Sequence, residues 1–157
     1  MANVGTICSP GGHLIQLLWL LEAFEDDQIF LMTYSTPTLT KFTHPKIRKI
    51  YFIKYFGDTG LKMFFTLLWN GVTVFRIFLK ERPEILFSTG AEIAIPAFLI
   101  GKYLFGTKLI FVETLSRVTT PSLTGKVLYH FSDLFLVQWE SLLKQYGNRA
   151  IYRGGLI

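Results

Sequence analysis

Three loops of this sequence carry residues able to do chemistry. The turn Ser9-Pro10-Gly11-Gly12-His13 separates a short β-prone run from an apolar helical pattern. Glycines there let backbone N–H groups approach an anion, and the positive end of the helix dipole favours a phosphate. His13, in the first turn of that helix, would point into the same crevice and suits a general base near neutral pH. The glycines are adjacent and no third follows at the right spacing, so this is neither a dinucleotide-binding fingerprint nor a P-loop. A tight turn with a locally capping histidine is the plainer alternative. Ser88-Thr89-Gly90-Ala91 is a second glycine turn leading into a helix, and it offers Thr89 and Gly90 as phosphate or sugar contacts. The third loop begins at Glu113 and runs through Thr114, Leu115 and Ser116 to Arg117. A carboxylate leaving a buried strand can accept hydrogen bonds from a sugar hydroxyl or act as base. Arg117 suits a diphosphate or, alternatively, a salt bridge to Glu113.

Other chemistries find no foothold. No residues have metal-ligand spacing, and the single cysteine, Cys8, rules out an internal disulfide and a multi-cysteine zinc site and reads as a small buried hydrophobe. No Ser, His and Asp set forms a triad. Lys126 only echoes a nucleotide loop, since Val127 follows it, and His44 and His130 read as surface or capping residues.

The elements that must position these loops alternate. Strands are predicted at Asn3 to Cys8, Gln28 to Tyr34, Lys49 to Tyr55, Ile85 to Ser88, Lys108 to Val112 and Leu134 to Val137. Helices are predicted at His13 to Phe24, Leu61 to Lys80, Ala91 to Phe105 despite Pro96, Ser122 to Phe131 and Glu140 to Tyr146. This order describes an α/β fold with a parallel sheet covered on both faces. Its ligands belong in loops outside the carboxyl ends of the strands, here those beginning at Ser9, Tyr34, Phe56, Ser88 and Glu113. No repeat or linker divides the 157 residues, which suit one domain spanning 1–157.

Half the residues are apolar and mean hydropathy is +0.38, which excludes a disordered chain. No stretch reaches the roughly 18 uncharged apolar residues of a spanning helix, and the N-terminus reads as a strand rather than a signal peptide. The whole net charge of +5 falls in residues 41 to 62, where Lys41, Lys46, Arg48, Lys49, Lys54 and Lys62 face only Asp58 among interleaved aromatics. Such a segment fits an anionic lipid surface, a nucleic-acid backbone or simply a solvated face. The helix that follows has one narrow polar stripe (Lys62, Thr66, Asn70, Thr73, Arg76, Lys80) and is otherwise apolar, including Phe64, Phe65 and Trp69. So wide an apolar surface needs a second neighbour besides the sheet. With the flanking charges it reads as a face lying on a bilayer, made of Lys46, Arg48, Lys49, Lys54, Lys62, Phe64, Phe65 and Trp69.

Four blocks in order carry a resemblance: Ser9-Pro10-Gly11-Gly12-His13-Leu14, Phe111 to Val118, Pro121 to Lys126, and Asp133 to Glu140. The chain resembles the membrane-associated subunit of bipartite UDP-sugar glycosyltransferases. These include the anchoring subunit of the UDP-N-acetylglucosamine transferase of dolichol-linked oligosaccharide synthesis and the bacterial polysaccharide subunits called PssD, CpsF and EpsE. The resemblance implies a Rossmann-like domain equivalent to the N-terminal half of a MurG-like GT-B enzyme. Such a half holds the polyprenyl-diphosphate-linked acceptor and the membrane, while a separate subunit binds most of the UDP-sugar, with no further cofactor. It implies that Ser9, Gly11, Gly12, Thr89, Gly90 and Arg117 face the acceptor diphosphate, and that His13 or Glu113 is the base of an inverting transfer. Many eukaryotic members begin with a transmembrane helix, whereas this chain starts at the first strand. Anchoring at the cytoplasmic face would then rest on the apolar and basic surface. A non-catalytic membrane scaffold for a complete transferase, and a nucleic-acid-binding module, are the competing readings.

Overall fold

The side chains of the central strands divide between two cores. In β2 (Gln28–Tyr34), Ile29 and Leu31 enter one apolar cluster and Phe30 and Met32 the other. A strand turns successive side chains to opposite faces, so a strand covered on both faces must be apolar throughout. The computed structural model describes residues 1–55 and 59–156; Phe56 and Asp58, used above as a loop start and as the one acid of the basic segment, lie outside the described residues.

Seven parallel strands form one sheet in the order β3-β2-β1-β4-β5-β6-β7. They are β1 (Asn3–Ile7), β2, β3 (Ile47–Ile53), β4 (Ile85–Ser88), β5 (Lys108–Val112), β6 (Leu134–Val137) and β7 (Ala150–Tyr152). Helix α1 (Gly12–Leu20) packs Leu14 and Leu17 into the cluster with Ile29 and Leu31. Helices α2 (Gly60–Glu81), α3 (Ala94–Ile100), α4 (Leu123–Leu128) and α5 (Leu143–Tyr146) contribute to the other cluster. The predicted parallel α/β architecture is therefore observed. Two elements differ in an instructive way: a seventh strand, β7, was not predicted, and one helix starts later than expected. β7 has only three residues, too few for a periodicity to register, and the helix expected from Ala91 begins at Ala94, because Gly90 and Ala91 have φ of +122° and +83°. Pro96 is the third residue of α3, in the first turn where its missing N–H is not needed.

The chain lays down β1, β2 and β3 toward one edge, then returns to place β4 on the other side of β1. Successive connections thus diverge between β1 and β4, and an open sheet has its ligand crevice at such a switch point.

Helix α2 is turned inside out over its first half. Thr66 and Asn70, from the polar stripe, are fully buried, while Phe64 is 61% and Leu68 57% exposed. Asn70 Nδ2 donates to the Lys54 carbonyl at 3.0 Å, and its buried Oδ1 has no partner among the described residues. Only farther along do Val74, Ile77 and Phe78 enter the core. By length and composition alone α2 could cross a bilayer, which the sequence had not suggested. As the crossover between β3 and β4, with its second half in the core, it runs along the sheet instead.

This orientation has a measurable consequence. Phe78→Ala, emptying a fully buried ring site, should lower stability by about 3–5 kcal/mol, whereas Phe64→Ala on the outward face should change it by less than about 0.5 kcal/mol. Urea denaturation of both variants reads the difference, and a larger loss for Phe64→Ala than for Phe78→Ala would mean that α2 faces the other way.

Candidate active site

The loop after β1 and the loop after β4 meet at the switch point. His13 Nδ1 lies 2.8 Å from the Thr89 carbonyl oxygen, and Thr89 Oγ1 donates back to the His13 carbonyl at 2.7 Å. A carbonyl can only accept, so Nδ1 carries a proton, and Nε2 is the nitrogen at which the ring can exchange one. Gly90 closes this clasp. A Cβ at its position would stand 2.7 Å from His13 Cε1, and its φ of +122° is one that side chains rarely adopt. Ser88 steadies the turn from beneath, donating to the Ile7 carbonyl at 2.7 Å and accepting from Gly90 N at 3.1 Å.

Glu113 occupies a different place from the one its position in the chain suggests. It does not open into the crevice; it is 1% exposed and lies under the loop that follows it. Thr114 N donates to Oε1 at 2.9 Å, while Ser122 N, Ser122 Oγ and the Tyr146 hydroxyl all donate to Oε2. Burial and the bond to this carboxylate push the Tyr146 phenol far above its ordinary range, so it remains a donor. A Cβ at Gly125 would overlap both the Tyr146 hydroxyl and Glu113 Oε2, so only glycine fits there. Ser122 Oγ also caps α4 by accepting from Gly125 N at 2.8 Å.

A second polar layer adjoins this one. Gln16 Oε1 accepts from Leu115 N at 2.9 Å and from Gln138 Nε2 at 3.0 Å, and Gln16 Nε2 donates to Gly12 O and Thr114 Oγ1. The buried amides of α1 and of the residue after β6 thereby hold the 113–116 loop against the His13 turn.

Above these layers lies a pocket of about 330 Å³. His13, Gly90, Glu92, Thr114, Ser116, Arg117, Ser122 and Thr124 line it, with Met63 of α2 and Leu123 at its side. Arg117 is exposed and makes no ion pair among the described residues, so the alternative of a bridge to Glu113 is not realised. Thr89 is buried, with its carbonyl engaged by His13. Ser9, Gly11 and Gly12 do not line the pocket but lead into it; Gly11 has φ +88°, and no side chain caps the N-terminus of α1. Sequence reasoning missed Glu92, whose Oε1 accepts from the Tyr34 hydroxyl at 2.6 Å. Its place two residues after Gly90 was the available signal. Tyr146 carried none, being 33 residues from Glu113.

The basic and apolar residues separate into two groups. Lys46 pairs with Glu22 at 3.0 Å and Arg48 with Glu81 at 2.6 Å, at the start of β3. Lys49 lies over the Tyr51 ring at 4.6 Å. Lys54 lies at the other end of the strand, roughly 20 Å away at 3.3 Å per residue, with Nζ 5.1 Å from the Trp69 ring centroid. Lys62, Phe65 and Trp69 line one recess on the outer side of α2, beside Phe64. Lys54, Lys62, Phe64, Phe65 and Trp69 are therefore neighbours at the carboxyl side of the sheet, and Lys46 and Arg48 stand apart from them.

Comparison with known proteins adds to this geometry. A family model described as "Oligosaccharide biosynthesis protein Alg14 like" matches residues 4–156. The chain is 30% identical over 156 residues to the UDP-N-acetylglucosamine transferase subunit ALG14 of Rattus norvegicus, covering 95% of this chain and 71% of that protein. It is 29% identical to the Saccharomyces cerevisiae subunit, covering 94% and 73%. It is 43% identical to the Candida albicans subunit over 84 residues, 50% of this chain and 38% of that protein. Among solved structures, MurG from Acinetobacter baumannii superposes with a TM-score of 0.75 at 15% identity, over 99% of this chain and 46% of that one. A UDP-GlcNAc 2-epimerase from Methanocaldococcus jannaschii gives 0.69 at 13% identity, over 97% and 45%. The expected MurG-like fold is met, and the chain spans a little under half the length of each of these two structures.

The buried carboxylate can be tested by denaturation. Tyr146→Phe removes a hydrogen bond to a charged group and should cost about 1.5–3 kcal/mol. Glu113→Gln, which sets an amide N–H against donors already in place, should cost more. A Tyr146→Phe protein as stable as the wild type would show that the carboxylate does not depend on the phenol.

Proposed function

Since the chain belongs to the family of Alg14-like oligosaccharide biosynthesis proteins, we propose that it is the acceptor-binding subunit of a two-component UDP-N-acetylglucosamine transferase. It lies peripherally on the cytoplasmic face of a membrane and recruits a donor-binding subunit that completes the active site. The observation that carries this reading is the His13 clasp. An imidazole whose Nδ1–H is held by a backbone carbonyl, lining a pocket that also holds an arginine with no ion pair among the described residues, is equipped to take a proton at Nε2 beside an anion. The names of the rat and yeast relatives supply the reaction class.

In the proposed step the acceptor hydroxyl loses its proton to His13 Nε2 as its oxygen attacks the anomeric carbon. The bond from that carbon to the UDP oxygen breaks, UDP leaves with the electron pair, and configuration inverts. Arg117 and the uncapped N-terminus of α1 stabilise the diphosphate of a polyprenyl-linked acceptor. Glu113, sealed beneath the pocket, is a positioning residue: it holds Thr114 and Ser122, which line the pocket, through their backbone and hydroxyl groups. The exposed apolar face of α2, with Lys54 and Lys62, supplies the membrane footing.

Activity assays of the chain alone and co-expressed with its donor-binding subunit test the reading. The chain alone should transfer negligibly and the complex robustly. In the complex, His13→Ala should lower kcat by about 10²–10⁴-fold, and Gly90→Ala, which pushes the imidazole from its seat, should approach the same loss. A His13→Ala complex with undiminished turnover would leave this chain as a scaffold only. Changing Phe65 and Trp69 to polar residues should weaken binding to anionic vesicles, and steep salt-dependent binding to RNA or DNA would point to the nucleic-acid reading instead.

A further inference from the structure

A trench of about 610 Å³ runs between α2 and α3 on the side of α2 away from Lys62. Its walls are apolar on both sides, with Phe64, Leu68 and Phe75 from one helix and Ile95 and Leu99 from the other. Its volume falls in the range of small-molecule sites. Along α2 the lining extends from Phe64 to Phe75, about 16 Å at 1.5 Å per residue. Gly71 forms part of the wall facing α3; a Cβ there would reach only ordinary contact, 3.9 Å, with Pro96 Cβ.

What selects the occupant is where the trench begins. Met63 lines the polar pocket and the next residue, Phe64, lines the trench; Glu92 lines the pocket and Ile95, three residues on, lines the trench. The two recesses adjoin, one polar with an arginine that makes no ion pair among the described residues and one lined by apolar residues alone. That pairing fits a single amphiphile with an anionic head and a long hydrocarbon chain. The trench shares Leu68 and Val72 with the recess that Lys62, Phe65 and Trp69 line, but only the trench has a second wall from α3, the helix that follows Glu92 of the pocket; a groove walled on both sides takes one chain.

We propose that the α2–α3 trench seats the proximal hydrocarbon chain of the lipid-linked diphosphate whose head occupies the His13 pocket, an inference that rests on the acceptor reading above. The chain then leaves the trench toward the membrane on which α2 lies. The trench acts as a ruler for the lipid part of the substrate and adjoins the membrane footing along Leu68 and Val72.

The test uses the complex with its donor-binding subunit, farnesyl diphosphate and inorganic diphosphate as probes, and phosphatidylcholine–phosphatidylserine vesicles. Gly71→Leu fills the trench from α2 and Leu99→Trp fills it from α3, so a folding defect in one leaves the other informative. Each should lower farnesyl diphosphate affinity about tenfold, the equivalent of two methylenes left unburied, with inorganic diphosphate and vesicle binding unchanged. Unchanged farnesyl diphosphate affinity overturns the proposal. So does a loss shared equally with vesicle binding, which would make the trench part of the membrane footing, and so does loss of the donor-binding subunit from both variants, which would make it a protein interface. If transfer depends on His13 while the trench variants bind the probe like wild type, the trench assignment falls alone. If the variants lose the probe but the wild-type complex transfers no sugar, the transfer reading falls and the trench assignment stands.

Discussion

A carboxylate without access to water is the constraint around which this crevice is organised. Burying an ion costs several kcal/mol even after the protein relaxes, unless donors replace its hydration. Glu113 meets that condition with Thr114 N, Ser122 N, Ser122 Oγ and the Tyr146 hydroxyl. These donors come from the strand end, the start of α4 and the end of α5. Satisfying one charge therefore draws three distant pieces of chain together, and the glycine at 125 is what allows them to close. Thr114 and Ser122 then present their other surfaces to the pocket. The rigidity of the pocket floor follows from the cost of leaving that charge unpaired.

The His13 side of the pocket is built by topology. Parallel strands require crossovers, and the reversal between β1 and β4 leaves their two carboxyl-end loops side by side. Into that gap each loop contributes half of the His13 clasp: the imidazole from one, the accepting carbonyl and the missing side chain from the other. Ala91, with φ +83°, holds a backbone conformation that ordinary residues avoid. Such strain is sustained where surrounding contacts over-determine the geometry, and it falls here in the turn that holds the His13 imidazole.

Helix α2 links this site to its surroundings. Its second half is an ordinary core helix, but its first half buries Thr66 and Asn70 and exposes aromatic rings. A chain that followed the hydrophobic effect within itself alone would do the opposite. The arrangement makes sense only if the apolar face is covered by something else. It also explains why the basic segment divides: Lys46 and Arg48 neutralise acids at the amino end of the sheet, and Lys54 and Lys62 stay beside the exposed rings at the carboxyl end.

Local pattern determined a good deal of this by itself. The alternation of short β-prone runs with apolar helical windows placed β2, β4, β5 and β6 at their observed bounds, because each is a buried strand whose composition reflects its own environment. The glycine turns before α1 and α3 were legible because backbone freedom is a property of the residue itself. Three things were not legible. Glu113 turns inward, because its partners lie 9 and 33 residues away in the chain; Glu92 enters the pocket through a turn whose φ values no spacing reveals; and Thr66 and Asn70 of the polar stripe of α2 turn inward, although the outward place of Phe64, Phe65 and Trp69 was expected. Residue types and local periods determined which elements form and which side chains could do chemistry. Which of those side chains meet water, a ligand or one another was decided by the sheet order and by the demand that every buried charge find its donors, since both depend on contacts between segments that the linear chain keeps apart.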